Sequence, residues 1–141
     1  MTRLCLPTFA ELVDELTINR IKQVLAPLSE GSNDYIDRVE KLLHDIDLLI
    51  EEKQVKLTAD LVYAFIILAQ VNLHIWHNKD AMTTDPDSYD SHLKRAHQLN
   101  GIRNQIKNLL LKATGDLDGA TRKTNFQIDG LQGWELIVKQ D

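Results

Sequence analysis

Cysteine is almost absent from this sequence, since Cys5 stands alone among 141 residues. A lone cysteine cannot form an internal disulfide, and the chain has no Cys-x-x-Cys pair for thiol redox or zinc chemistry. The N-terminal MTRLCLPTF also lacks the apolar run of roughly 7–15 residues that a secretory signal requires. Together these absences predict an intracellular protein, located in the cytoplasm.

Long apolar runs and an excess of positive charge are also missing. The run Leu61 to Ala69 has about half of the roughly 18 residues that a membrane span requires. The formal net charge is −5, although residues 94–123 carry seven basic side chains against two acidic ones. An acidic protein repels nucleic acid and anionic lipid. The composition therefore predicts a soluble protein with neither a nucleic-acid nor a membrane partner. The basic block is expected to pair with acidic neighbouring helices, and the alternative is that it forms a site for an anion or a nucleotide.

Motifs for nucleophilic catalysis and for metal binding are scarce. No P-loop, Gly-x-Gly-x-x-Gly or Gly-x-Ser-x-Gly stands between a strand and a helix, so no nucleophile is predicted. His74 and His77 lie three residues apart, a spacing that brings two imidazoles together on a helix, but no third ligand is fixed by the spacing. The sequence therefore predicts no cofactor, with these histidines as weak candidates for a divalent metal.

Helical periodicity is the main positive signal. Apolar stripes predict four helices at about residues 8–26, 34–52, 58–80 and 87–113, followed by a tail over 114–141. Thr8 and Glu11 have the form of a capping box, and Thr58 is placed to cap the third helix. In the tail, alternation around Trp134 predicts a short extended segment. We expect one all-α domain over residues 1–141, an antiparallel four-helix bundle with a short C-terminal appendage.

The third predicted helix, TADLVYAFIILAQVNLHIWHNKD, is apolar on every side at about 100° per residue. This pattern predicts a central helix surrounded by the others. Asn72 falls among its apolar side chains, where an amide without partners costs about 1–3 kcal/mol. We therefore expect another residue to hydrogen-bond Asn72.

Three stretches resemble a family of uncharacterised bacterial all-helical proteins. Residues 7–22, PTFAELVDELTINRIK, resemble the family's Pro-x-x-Gly-Glu-Leu-Ile-Asp-Lys-Ile-Thr-Ile-Leu-x-Ile-Lys. Residues 71–80, VNLHIWHNKD, resemble its Ile-Asn-x-x-Leu-Trp-x-x-Glu-Asp, and residues 100–107, NGIRNQIK, resemble its Asn-Asp-x-Arg-x-x-Ile-Lys. This chain departs from the pattern at Ala10, Lys79 and Gly101. The resemblance implies a helical fold and a set of polar residues, without an assigned reaction.

The matched residues predict a polar cluster between the first, third and fourth helices. Asn72, Trp76 and Asp80 follow one another at intervals of four on the third helix, and a similar stripe runs along the fourth. The cluster is either a self-satisfied ion-pair network or a site for a small polar ligand, such as a sugar or part of a nucleotide, stacked on Trp76. The candidate residues are Glu11, Asp14, Asn72, Trp76, Asp80, Asn100, Arg103 and Lys107.

Two functions are compatible with this pattern. The leading hypothesis is a non-enzymatic small-ligand-binding or assembly protein, and mixed faces on the first and fourth helices predict a homodimer. The alternative is a Mg²⁺- or Mn²⁺-dependent phosphohydrolase of a nucleotide-like substrate that uses Glu11, Asp14 and Asp80, because the acids around Glu11 resemble those of all-helical nucleotide pyrophosphohydrolases. That family needs a second acidic pair, and the nearest, Asp37 with Glu40, lies on a solvated helix. The sequence thus leaves enzymatic activity open and favours a binding role.

Overall fold

The computed structural model describes residues 6–26, 32–119 and 121–123, and these residues form an all-α bundle. Its helices are α1 (Phe9–Leu25), α2 (Ser32–Glu52), α3 (Ala59–Thr84) and α4 (Tyr89–Ala113), with a single 3₁₀ turn at Pro86–Ser88 before α4. The all-α prediction is confirmed. The expected extended segment around Trp134 lies outside the described residues.

The helix boundaries follow local chemistry. The Thr8 hydroxyl accepts a hydrogen bond from the amide of Glu11 at 3.2 Å, and the Thr58 hydroxyl accepts one from the amide of Leu61 at 3.1 Å. The predicted capping box is only half formed, because the Glu11 carboxylate binds Lys107 of α4 and Lys123, which follows α4, and does not return to the amide of Thr8. α3 runs one turn beyond the predicted end and stops before Pro86, since the residue preceding a proline disfavours helical backbone.

Two helices end in the same backbone motif. After α2, Gln54 adopts a left-handed φ of 53°, and the amide of Val55 donates to the carbonyl of Ile50. After α4, Gly115 adopts a φ of 72°, and the amide of Asp116 donates to the carbonyl of Leu111. The two turns lie close together: the Nζ of Lys53 pairs with a carboxylate oxygen of Asp116 at 3.1 Å.

The packing corrects the expectation that α3 is surrounded. α1 contacts all three other helices, whereas α2 packs closely against α1 alone among the described helices, and α3 packs against α4 and α1. The outer face of α3 is open, so Val62, Ile66 and Leu73 are 40%, 52% and 38% exposed. A helix that is apolar on every side can be buried on every side, but the pattern does not show that the helices packed around it all belong to the same chain. The central helix of the bundle is therefore α1.

One continuous core joins the four helices. Its largest fully buried side chains are Phe9, Leu68, Val71, Ile102, Ile106, Leu110 and Leu111. Buried polar side chains interrupt this core where α1, α3 and α4 meet, and this is where the candidate site lies.

Candidate functional site

Asp14 is the centre of a buried polar cluster. Its side chain is 5% exposed, and Arg103 of α4 approaches it with two nitrogens, Nε donating to Oδ1 at 3.0 Å and Nη2 donating to Oδ2. From α3, Asn72 donates from Nδ2 to the same Oδ1 at 2.9 Å. A guanidinium binding both oxygens of a carboxylate is among the stronger hydrogen-bonded pairs in proteins. Asp14 thus connects three helices through charged and neutral hydrogen bonds.

Thr17 completes the neighbourhood of Asn72. Its hydroxyl lies 2.6 Å from Nδ2 of Asn72 and donates to the carbonyl oxygen of Asp14 at 2.8 Å. The sequence predicted that Asn72 must be bonded, and these contacts supply the partners. Among the described residues, no buried side-chain nitrogen or oxygen lacks a hydrogen-bond partner. The cluster therefore carries no penalty for an unpaired polar atom within the described part of the chain.

Glu11 extends the cluster toward solvent. Its Oε2 accepts from Nζ of Lys107 at 3.0 Å, and its Oε1 pairs with Nζ of Lys123 at 3.0 Å. Lys107 also lies 3.5 Å from Oδ2 of Asp14, so its ammonium joins the two carboxylates. The Lys107 side chain is only 8% exposed, whereas that of Glu11 is 40% exposed. We define the polar cluster by these contacts: Glu11, Asp14, Thr17, Asn72, Arg103, Lys107 and Lys123.

Lys123 was not predicted, and Asn108 holds it in place. Asn108 of α4 donates from Nδ2 to the Lys123 carbonyl at 2.9 Å and accepts from the Lys123 amide at 2.8 Å through Oδ1. Thr121, two residues earlier, exchanges hydrogen bonds with Asp118 and so closes the preceding turn. A lysine beyond the end of a helix belongs to no periodic stripe, so the sequence offered no spacing that would place it beside Glu11.

The charges of the cluster lower the pKa of both carboxyl groups. Burial alone would raise the pKa of Asp14, but the hydrogen bond and charge of Arg103, helped by Asn72 and Lys107, outweigh burial and lower it below the usual value. Burial likewise opposes ionisation of Glu11, and hydrogen bonds from Lys107 and Lys123 lower its pKa overall. Both acids are therefore ionised at neutral pH, with two carboxylates facing three cations.

Five of the eight predicted site residues meet in the polar cluster, and the other three do not. Trp76 is half-buried, Asp80 is exposed, and Asn100 is half-buried without a hydrogen bond to the cluster. Four residues advance an α-helix by about 40° beyond a full turn, so Asp80 lies about 80° around α3 from Asn72. Because of this drift, the predicted stripe on α3 turns away from the cluster toward solvent.

The two candidate metal histidines line a different groove. It lies between α3 and α4, has a volume of about 440 Å³, and is lined by His74, His77, Asn78, Ser91, His92, Arg95 and Leu99. His92 lies 3.3 Å from a carboxylate oxygen of Asp85 through Nε2. Over the ranges 6–26, 32–119 and 121–123, neither this groove nor any other place gathers three histidine, cysteine, aspartate or glutamate side chains in a metal-binding arrangement.

An open cleft of about 610 Å³ lies directly over the acidic end of the polar cluster. Its polar wall contains Glu11, Asp14, Glu15, Thr121 and Lys123, and Glu15 is itself paired with Arg38 of α2. Apolar side chains complete the cleft, so it offers both charged groups and hydrocarbon surface. The remaining lining residues are Leu6, Pro7, Thr8, Ile18 and Leu111. We call this space the cluster cleft.

Comparisons with known protein families, with curated proteins and with solved structures give no significant match for this chain.

Proposed function

We propose that this protein is a non-enzymatic binding protein whose cluster cleft takes a small, neutral, hydroxyl-rich molecule of the saccharide type. The observation that carries the proposal is an open cleft of about 610 Å³ placed over carboxylates and ammonium groups that are already paired with one another. A cytoplasmic location is part of the same proposal, because the sequence has a single cysteine and therefore no internal disulfide.

Charge pairing favours a neutral ligand over an ionic one. A phosphate would need unpaired cations, but Arg103, Lys107 and Lys123 each bind a carboxylate. A divalent cation would need unpaired carboxylate oxygens, but Glu11 and Asp14 already bind these cations. Either ion would compete with existing pairs, and separating the charges of Asp14 and Lys107, whose side chains are 5% and 8% exposed, would cost about 3–5 kcal/mol.

A hydroxyl group avoids that cost because it both donates and accepts. It can donate to a carboxylate oxygen of Glu11 and accept from Nζ of Lys123 without separating them, since both side chains are about a third exposed at the cleft, at 40% and 32%. The apolar side chains of Leu6, which is 60% exposed, and of the half-buried Ile18 then provide surface for the C–H face of a sugar ring. Trp76 does not line this cleft, so the proposed ligand does not stack on it.

The same pairing disfavours a metal-dependent phosphohydrolase. That reaction would require Glu11, Asp14 and Asp80 to share metal ions. Glu11 and Asp14 each bind cations of α4, while Asp80 is exposed on α3 and makes no side-chain ion pair within the described residues. A metal would first have to displace Arg103 and Lys107 from their partners.

Titrations with N-acetylglucosamine, inorganic phosphate and Mg²⁺, each monitored by ¹H–¹⁵N NMR, test the proposal. We expect N-acetylglucosamine to shift the amide signals of Thr121 and Lys123 saturably, and inorganic phosphate to leave them unchanged. Glu11→Gln should weaken the sugar's binding about tenfold, which corresponds to about 1.4 kcal/mol. The matched control Glu40→Gln changes an exposed acid of α2 and should bind as the wild type does.

The opposing outcomes are distinct. Saturable Mg²⁺ binding that perturbs Lys123 and requires Glu11 would overturn the proposal in favour of the metal-dependent alternative. Equal effects of the two glutamine variants, or sugar-induced shifts confined to other parts of the bundle, would show that the cluster cleft is not the binding site.

A further inference from the structure

The open face of α3 carries an apolar seam with coiled-coil spacing. Ala59, Val62, Ile66, Ala69 and Leu73 are all exposed and follow one another at alternating intervals of three and four residues. Trp76, half-buried, continues the same alternation. Spacing of this kind keeps one edge of a helix against a partner helix over several turns. We call these six residues the α3 seam.

We propose that the α3 seam is the contact between two copies of this chain, which pair through their α3 helices in antiparallel orientation about a two-fold axis beside residues 67 and 68. The homodimer expected from the sequence would thus form through α3, and not through mixed faces of α1 and α4. The choice of a second copy rests on two observations: the seam is complementary to itself, and so are the charges at its end.

The α3 seam is complementary to an antiparallel copy of itself. In an antiparallel pair centred between residues 67 and 68, three kinds of layer form, and each occurs twice because of the two-fold axis. Two of the three kinds of layer oppose alanine to a large side chain, an arrangement that favours close packing of the two helices. The layers are Ala59 with Trp76 of the second copy, Val62 with Leu73 of the second copy, and Ile66 with Ala69 of the second copy.

Charge complementarity supports the same alignment. Asp80 continues the spacing beyond Trp76 and falls past the N-terminus of the α3 helix in the second copy. Lys56, which precedes that helix, is exposed, as is Asp80, and the first amides of a helix also favour a nearby negative charge. Asp80 pairs with no described side chain inside its own subunit, so it is available to the partner. A parallel pair would instead place Asp80 against Asp80.

The apolar content of α3 raises a second candidate occupant. Among the described residues, α3 alone is long and apolar enough to cross a membrane by length and composition, and a third of its most apolar window is buried in the structure. Yet its inner face holds Asn72, hydrogen-bonded to Asp14 of α1, and insertion into a bilayer would break that contact. A second copy covers the seam and leaves the inner face unchanged, and we therefore favour it.

The size of the seam sets the expected strength of the dimer. Six positions over residues 59–76 span about 27 Å of helix, a strip roughly 10 Å wide. This is less than the roughly 800 Å² per partner that a standard stable interface buries. We therefore expect a reversible dimer with a dissociation constant in the micromolar range.

Sedimentation velocity of the full chain from 5 to 500 µM tests the interface. The wild type should pass from monomer to dimer over this range, and Ile66→Lys should remain monomeric with unchanged helical circular dichroism, because Ile66 is half exposed in the single subunit. The matched control Leu43→Lys alters an equally exposed apolar residue of α2 and should dimerise as the wild type does. A wild type that stays monomeric at 500 µM, or a dimer insensitive to Ile66→Lys, overturns the proposal.

Disulfide trapping tests the antiparallel alignment without relying on the lysine variant. In a Cys5→Ser background, chains carrying Val62→Cys are mixed with chains carrying Leu73→Cys and oxidised. The mixed disulfide should form at least about fivefold faster than either homodimeric disulfide, since Cβ atoms must approach within about 4.5 Å, and mass spectrometry separates the three products. Faster homodimeric linkage contradicts the antiparallel pairing. Flotation of the wild type with phosphatidylcholine vesicles, abolished by Ile66→Lys, would assign the seam to a membrane instead.

Discussion

Replacing Asp14 by asparagine should show how much the polar cluster stabilises the bundle. The substitution keeps the size of the side chain but removes its charge, and it turns one acceptor oxygen into a donor NH₂ group facing other donors. Arg103 and Lys107 then lose their shared counter-ion, while the side chain of Lys107 is only 8% exposed. Removing one partner of a buried ion pair costs about 3–5 kcal/mol.

The lower end of that range applies here. Arg103 is 25% exposed, so water can rehydrate part of its guanidinium, and Glu11 remains as a partner for Lys107. We expect a loss of about 3 kcal/mol, out of a total stability of about 5–15 kcal/mol for a domain of this kind. For a chain of this length the melting temperature should fall by roughly 10 °C.

Urea denaturation followed by circular dichroism at 222 nm measures this loss. Asp37→Asn is the matched control, because Asp37 is 62% exposed and, among the described side chains, pairs only with Lys41 one helical turn away. An exposed pair of this type contributes about 0.3–0.5 kcal/mol. A cost for Asp14→Asn below about 1 kcal/mol, close to that of the control, would refute the view that Asp14 links the helices energetically.

The pH dependence of the same pair of proteins separates charge from packing. Because the pKa of Asp14 is lowered in the folded state, its ionised form stabilises the fold above the unfolded-state pKa of about 3.9. That contribution is lost as the pH falls through the folded-state pKa. The stability gap between wild type and Asp14→Asn should therefore be constant from pH 7 to 5 and should close below about pH 4. A gap that persists unchanged at pH 2 would assign the effect to shape instead of charge.

Three further substitutions have defined outcomes. Gln54→Gly should raise the free energy of unfolding by about 0.5–1 kcal/mol, because glycine relieves the left-handed backbone at this turn; a destabilised variant in urea titration would contradict this. Thr58→Ala should cost about 1 kcal/mol in the same titration through loss of the cap on α3, and a cost near zero would show that the cap is not needed. Asn108→Ala should accelerate hydrogen exchange at the Lys123 amide at least about tenfold while leaving that of Leu61 unchanged, since it removes the acceptor of that amide; equal exchange at Lys123 would disprove its anchoring role.

The helices and their caps could be predicted because each depends on neighbours in sequence. Thr8 and Thr58 cap their helices as their positions suggested, and Gly115 ends α4 with a left-handed backbone. The meeting of Asp14 with Arg103 also followed from residue types, because a buried carboxylate is tolerated only when a cation or hydrogen-bond donors pair with it. Sequence alone could bring these residues into one cluster without giving their distances.

The sequence could not show where Asp80 lies around the axis of α3, or that Lys123 lies beside Glu11. Asp80 was assigned to the stripe of Asn72, but the drift of an α-helix moves it about 80° away over two turns. Lys123 was missed because no periodicity extends past the end of α4. The open side of α3 could not be predicted for a different reason. The hydropathy of Ile66 indicates that burial of its side chain is favourable, but it does not indicate whether the same chain or another molecule buries it.

The hydrogen bond between Asn72 and Asp14 has a consequence for how α3 is oriented. A helix that is apolar on every side can turn about its own axis and still bury a similar area of hydrocarbon, so packing alone would leave several orientations nearly equal in free energy. Only one of them brings the amide of Asn72 to Asp14 at 2.9 Å. A turn of one residue, about 100°, would strand that amide in the core and direct another face outward. The buried amide thus selects which side of α3 the protein shows to its surroundings.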